Sequence, residues 1–202
     1  IEYLRPEEII TLLDLADEYV KLNRAAEKHG AALTGLTQIN MFFENSTRTR
    51  MSFETAMKRL GGEVLNLSSI GSSVAKGETL YDTMQMVNGY TDIAVIRHPR
   101  QGAAQYSADA VEIPILNAGD GAGNHPTQTM LDLFTIREAH GTLEGLNVML
   151  VGDLRFGRTT HSLSHALVRF GATLTLVSPK SLQMPAEIVS DLRASGKNIT
   201  ET

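Results

Sequence analysis

Gln38-Ile39-Asn40-Met41-Phe42-Phe43-Glu44-Asn45-Ser46-Thr47-Arg48-Thr49-Arg50 changes its period halfway along. Its first six residues form an apolar-rich run of strand length. After Ser46, Phe53, Met57 and Leu60 recur at helical spacing until Gly61-Gly62. A strand that passes directly into a helix is half of a β-α-β unit, and the same switch recurs downstream. Glu63–Leu67 reads as a strand, Leu80, Met84 and Val87 as a helix, and Ile93–Ile96 as a strand. A short helix near Ala103–Ala108 leads to a strand at Ile113–Leu116, peripheral because Pro114 has no N–H for a ladder. Pro126 opens a helix carried by Met130, Leu133 and Phe134. Upstream, Pro6-Glu7-Glu8 starts a helix with Ile9, Leu12, Leu13, Ala16 and Val20 on one face and Gly30 as its stop. This alternation predicts an α/β fold, a parallel sheet with helices on both faces. Crossovers should be right-handed, and ligands should gather at the carboxyl ends of the strands.

Gly141-Thr142-Leu143-Glu144-Gly145-Leu146-Asn147 reads as a junction, after which the pattern restarts. Val148–Val151 and Leu174–Val177 are strands, Thr159–Phe170 and Pro185–Ala194 helices, and Ile199 begins a third strand. Two strands and a stub make an incomplete second α/β domain. The expected division is therefore residues 1–140 and residues 141–202.

Composition excludes several classes. The 202 residues are 42% hydrophobic and 20% charged, with ordinary glycine and proline content, unlike a disordered or collagen-like chain. A net charge of −5 argues against a general nucleic-acid binder but allows a local basic cluster for a small anion. Without cysteine there is no disulfide, thiolate nucleophile or thiolate metal site. Apolar runs are far shorter than the roughly 20 residues of a membrane span, and no secretory pattern opens the chain. A cytoplasmic location is expected, and the sequons at Asn45, Asn66 and Asn198 are read as chance.

Five segments carry chemistry. Ser46, Thr47 and Thr49 supply hydroxyls, Arg48 and Arg50 guanidiniums, at a strand-to-helix turn whose free N–H groups suit a phosphate. The alternative is an N-capped helix with solvated arginines. Arg97-His98-Pro99 follows a strand directly, in the zone for an anion or as a surface arginine. Asn117–Gln128 is glycine-rich and ends in His125-Pro126-Thr127-Gln128. There an imidazole can donate to a carbonyl oxygen and Gln128 can read an amide, or His125 merely caps a helix. Ser68–Glu78 reads as a mobile linker presenting Lys76. Gly152–His161 places Arg158 at a helix start, able to clamp a carboxylate, and lacks the glycine fingerprint of a dinucleotide site. His161 and His165 have zinc-ligand spacing but no third ligand, so no metal is assigned.

These segments, in this order, resemble the aspartate/ornithine carbamoyltransferase family. Ser46-Thr47-Arg48-Thr49-Arg50, Lys76-Gly77-Glu78-Thr79, Arg97-His98-Pro99, His125-Pro126-Thr127-Gln128 and Gly152-Asp153-Leu154 with Gly157-Arg158-Thr159 carry the likeness. His-Pro-Thr-Gln is similar to the aspartate-specific members, since ornithine-specific ones usually carry Cys at the position of Thr127. The resemblance implies a carbamoyl-phosphate domain and an aspartate domain. It implies transfer of a carbamoyl group to L-aspartate, giving N-carbamoyl-L-aspartate and phosphate in pyrimidine biosynthesis. Carbamoyl phosphate would bind through Ser46, Thr47, Arg48, Thr49, Arg97, His125, Gln128, Ser72 and Lys76. Thr49, Arg97, His125 and Lys76 would serve catalysis, and Arg158 and Lys76 would receive aspartate. Glu44 and Arg158 resemble the pair that bridges the domains on closure. No cofactor is implied. A homotrimer is implied, with Ser72 and Lys76 entering the neighbouring subunit's site, while a regulatory subunit is not legible. Family members continue well past Thr202, so the resemblance implies a chain lacking the C-terminal part. A carbamoyltransferase for another amine such as ornithine, and a non-catalytic phosphate-binding fragment, are the alternatives.

Overall fold

A computed structural model of the chain describes residues 4–68, 73–196 and 198–202. In chain order the elements are α1 (Pro6–Arg24), β1 (Thr37–Phe42), α2 (Thr47–Arg59), β2 (Glu63–Ser68), α3 (Leu80–Asn88) and β3 (Ile93–His98). They continue with α4 (Ala103–Ala110), β4 (Ile115–Asp120), α5 (Pro126–His140), β5 (Asn147–Val151), α6 (Arg158–Arg169), β6 (Thr173–Val177), α7 (Ala186–Ala194) and β7 (Ile199–Glu201). Short 3₁₀ turns lie at Ser73–Lys76 and Lys180–Leu182. The α/β expectation holds, and every strand pairing is parallel.

Packing groups the chain into two compact units, Glu18–Gly121 and Ile1–Asp17 with Ala122–Thr202. The first unit holds a four-stranded sheet in the order β2-β1-β3-β4. The chain builds outward from β1 to β2, then returns and builds the other way through β3 and β4. With right-handed crossovers this reversal puts the helices on opposite faces. One face buries Ile39, Met41, Met84, Val87, Ala94 and Ile96 under α3 and α4. The other buries Phe42, Val95 and Ala118, with Phe53 of α2 packed against them. That second face also carries a polar ladder. Gln38 Nε2 donates to Asn40 Oδ1 at 2.8 Å, Asn40 Nδ2 to Asn66 Oδ1 at 3.3 Å, and Asn66 Nδ2 to Glu54 Oε2 at 3.2 Å.

The second unit holds a sheet in the order β5-β6-β7. Leu150, Leu174 and Leu176 form its core with Ile9 and Leu13 of α1, Leu133 of α5, Leu167 of α6 and Leu192 of α7. This grouping differs from a boundary at residue 140. Leu133 is fully buried among the second sheet's core residues, so α5 packs with the elements that come after it in the chain. Arg137 on α5 adds ion pairs to Asp14 (2.6 Å) and Asp17 (2.7 Å) on α1.

Two boundaries move. The helix expected to stop at Gly30 ends at Arg24, because Gly30 is engaged elsewhere, its N–H donating to the Arg59 carbonyl at 2.6 Å. The strand expected at Ile113–Leu116 begins at Ile115 and runs to Asp120, through the first part of the glycine-rich segment. Pro114 contributes only its carbonyl, which accepts from Ala94 N–H at 3.0 Å. The register shift between Ile96 and His98 lets Asp120 pair opposite His98. Gly121 then turns at φ +55°, where an added Cβ would lie 2.7 Å from the Pro99 carbonyl oxygen. Gly121→Ala should therefore destabilise the chain by about 2 kcal/mol or more, combining a strained φ with a backbone clash. Thermal unfolding checks it, and an unchanged midpoint contradicts it.

Candidate functional site

The reversal of strand order between β1 and β3 is a topological switch point, where the loops leaving adjacent strands diverge and open a crevice at their carboxyl ends. Two of the expected segments stand there. After Phe42 the chain turns through residues 43–46 into α2, whose N-cap is Ser46. Ser46 makes no capping hydrogen bond to the backbone; its Oγ donates to Thr49 Oγ1 at 2.9 Å. Thr47 and Arg48, the first helical residues, are exposed, and Thr49 is half-buried. The helix opens without an acidic side chain in its first turn, leaving the positive end of its dipole uncompensated from within α2.

Arg97, the penultimate residue of β3, stands beside this turn, opposite Phe42 in the register, and its carbonyl accepts from Phe43 N–H at 2.9 Å. Its side chain is only 9% exposed. Nη2 donates to Glu44 Oε1 at 2.6 Å and Nη1 to the Ala118 carbonyl at 3.0 Å. Nε is buried without a hydrogen-bond partner. The guanidinium thus ties the carboxyl ends of β1, β3 and β4 together. One of its N–H groups is unspent, although a buried donor ordinarily finds a partner. The Glu44–Arg97 pair escaped the sequence reading, since 53 residues separate its members.

His98 follows. Its Nδ1 accepts from Arg100 N–H at 3.0 Å, and its ring meets Phe43 edge-on at 5.3 Å between centroids. Burial and then the Arg100 charge push its pKa below the ordinary value, with Glu44 pulling the other way. Lys76 closes the 3₁₀ turn Ser73–Lys76. Ser72 lies outside the described residues.

The second unit carries the remaining expected residues. His125 is the N-cap of α5, buried, with Pro126 at the first helical position. Thr127 Oγ1 lies 3.4 Å from its Nδ1. Gln128, half-buried in the first turn of α5, donates from Nε2 to Asp132 Oδ1 at 3.0 Å. Arg158 is the first residue of α6, half-buried, its N–H donating to the Phe156 carbonyl at 2.9 Å. Ser162, to which the sequence assigns no role in the site, joins these two helix starts. It is buried, accepts from His125 N–H at 3.2 Å, and its hydroxyl lies 3.1 Å from Asn124 Oδ1 and 3.2 Å from the Arg158 carbonyl. Its place one turn after Arg158 was the available signal. His161 is committed otherwise, with Nε2 2.8 Å from the Leu154 carbonyl. Among the described residues no group of three His, Cys, Asp or Glu is placed to hold a metal, and no helix is long and apolar enough to cross a membrane.

Comparison with known proteins decides the family. Residues 1–138 match the model for the aspartate/ornithine carbamoyltransferase carbamoyl-phosphate-binding domain. The chain belongs to the aspartate/ornithine carbamoyltransferase family. Aspartate carbamoyltransferase catalytic subunits of Methanococcoides burtonii and Methanothrix thermoacetophila are 61% and 53% identical to it, over 80% and 96% of the chain. The chain spans only 52% and 64% of those two proteins. Among solved carbamoyltransferases, aspartate transcarbamoylase from Trypanosoma cruzi, in complex with carbamoyl aspartate and phosphate, superposes with a TM-score of 0.94. It is 42% identical, over all of this chain and 67% of that one. The M. jannaschii catalytic subunit gives 0.90 at 46% identity, over 98% and 65%.

The His98 geometry predicts a pH dependence. With its folded-state pKa depressed, the neutral ring is the native form. Its contribution to stability is complete above the ordinary imidazole pKa of about 6.5 and is lost as pH falls through the lower folded value. An NMR titration of the His98 ring should show a midpoint below the ordinary value, and a midpoint at or above it contradicts this reading.

Proposed function

We propose that this chain serves transfer of the carbamoyl group from carbamoyl phosphate to the amine of L-aspartate, yielding N-carbamoyl-L-aspartate and phosphate for pyrimidine biosynthesis. The observation that carries the reading is the switch-point crevice. A hydroxyl-rich helix start and a buried arginine with an unspent N–H stand at the carboxyl ends of adjacent parallel strands, in a chain 53% identical to an aspartate carbamoyltransferase catalytic subunit. In this reading Ser46, Thr47, Arg48, Thr49 and Arg97 hold the phosphate. Thr49, Arg97 and His125 donate to the carbonyl oxygen, and Gln128 meets the carbamoyl amide. Arg158 takes a carboxylate of aspartate. Ser72 and Lys76 act on the site of a neighbouring subunit, in a homotrimer in the cytoplasm. In the order of the sequence, residues 1–140 correspond to the carbamoyl-phosphate domain, a division that the family match over residues 1–138 supports, and residues 141–202 to the aspartate domain, although α5 and the start of α1 pack against the core of the latter.

The reaction suits such a set. The amine of aspartate attacks the carbonyl carbon, a tetrahedral oxyanion forms, the C–O bond to phosphate breaks and the amine loses a proton. No side-chain nucleophile is needed. Holding two reactants in line is worth about 7–11 kcal/mol of barrier, and each donor on the developing oxyanion about 3–4 kcal/mol. Thr127, rather than cysteine, after His125-Pro126 supports aspartate over ornithine as the acceptor.

Carbamoyl transfer should be assayed with aspartate and ornithine in parallel, on the chain and on Arg48→Ala. Carbamoyl-aspartate is the expected product, with activity falling at least about a hundredfold in Arg48→Ala through loss of a charged phosphate contact. Carbamoyl-ornithine as the main product would move the acceptor to ornithine, and an undiminished Arg48→Ala would remove that residue from the phosphate site.

A further inference from the structure

The roles proposed above leave one interaction of a site residue unexplained, the pair Gln128–Asp132 on α5. The two stand one helical turn apart, both half-buried, with Gln128 Nε2 donating to Asp132 Oδ1 at 3.0 Å. An ionised carboxylate only accepts hydrogen bonds. The Gln128 amide must therefore turn its NH2 end toward Asp132, with one N–H donated, which fixes the opposite side of the amide as Oε1, an acceptor. The two ends of a glutamine amide are otherwise interchangeable in outline, and here the chemistry of the partner decides between them. Burial raises the Asp132 carboxyl from its usual value while the Gln128 amide pulls it back down. The carboxylate has thus lost part of its water, and the amide N–H takes that water's place.

We propose that Asp132 is a positioning residue that holds Gln128 as a hydrogen-bond acceptor, so that the site selects a phosphorylated acyl donor bearing NH2 on its carbonyl over one of the same shape bearing CH3. The inference rests on the proposed function, in which Gln128 meets the carbamoyl amide. An amide free to turn would offer its NH2 as readily as its oxygen and would lose part of that selection. A helix pair at this spacing also adds a small increment to helix stability, but that contribution is identical whichever ligand is bound.

Calorimetric titration separates the possibilities. The probes are inorganic phosphate, phosphonoacetamide and 2-oxopropylphosphonate, the last two differing only in NH2 against CH3. They are titrated into the chain and into its Asp132→Asn, Asp132→Leu and Asp132→Glu variants. The unsubstituted chain should prefer phosphonoacetamide by about tenfold, the ordinary worth of one hydrogen bond. In Asp132→Leu the preference should collapse to about twofold or less, with affinity for inorganic phosphate unchanged. Asp132→Asn, whose own amide can face Gln128 either way, should fall between and carries the test if Asp132→Leu does not fold. Asp132→Glu should restore most of the preference. A full preference kept in Asp132→Leu or Asp132→Asn overturns the proposal. So does a chain that binds phosphate yet does not tell the two phosphonates apart, a result that leaves the phosphate site standing. A chain that binds none of the three overturns the functional reading and this inference with it.

Discussion

Arg97 is the point on which the crevice of the four-stranded unit depends. A guanidinium taken out of water costs several kcal/mol unless its donors are matched. Here Glu44 and the Ala118 carbonyl match two directions and leave Nε unmatched. The side chain can sit there only because β1, β3 and β4 bring their carboxyl ends to one edge. It reaches both partners because β3 lies between β1 and β4, so that one guanidinium links the turn before α2 to β4. Removing Glu44 would leave the cation buried with one fewer partner, a change in the site and in stability together.

The rest of the unit is built to hold that edge. The polar ladder Gln38–Asn40–Asn66–Glu54 lies on the α2 face, where an all-apolar strand would be the simpler choice. Each amide in it is matched, so the ladder costs little in desolvation and pins the register of β1 against β2. Gly121 turns the chain sharply after β4, and its N–H returns to the His98 carbonyl at 2.8 Å, closing the loop beside Arg97. In the second unit Ser162 has a comparable part, joining the N-cap of α5 to the first turn of α6 through one buried hydroxyl.

Alternation of period made the α/β class, the order of strands and helices and nearly every element legible in the sequence. Elements bounded by local signals came out in place, as with Pro126 opening α5 and Gly61-Gly62 closing α2. Boundaries set by distant partners did not. Gly30 is used by Arg59 rather than by its own helix, and β4 runs on through Asn117 and Gly119 because β3 pairs with it across a register shift. Local composition there reads as loop, and only the neighbouring strand makes it a strand. The same divide holds for the candidate site. Hydroxyls and guanidiniums at strand ends were visible as residue types at helix starts. Their bonding partners were not. Glu44 on Arg97 spans 53 positions and Ser162 on His125 spans 37, and no periodicity reports such contacts. Gln128 with Asp132 is the exception, since a spacing of four on a helix can be read directly.

If the switch-point edge of the four-stranded unit is a phosphate site, an NMR titration with carbamoyl phosphate will reveal it in the backbone amides of Thr47, Arg48 and Thr49 and in the Nε–H of Arg97. These signals should move together along one saturation curve, with Arg97 Nε–H shifting downfield as it gains an acceptor. Signals that stay still there, or that move no more than those of exposed basic residues such as Lys28 and Lys180, would contradict it.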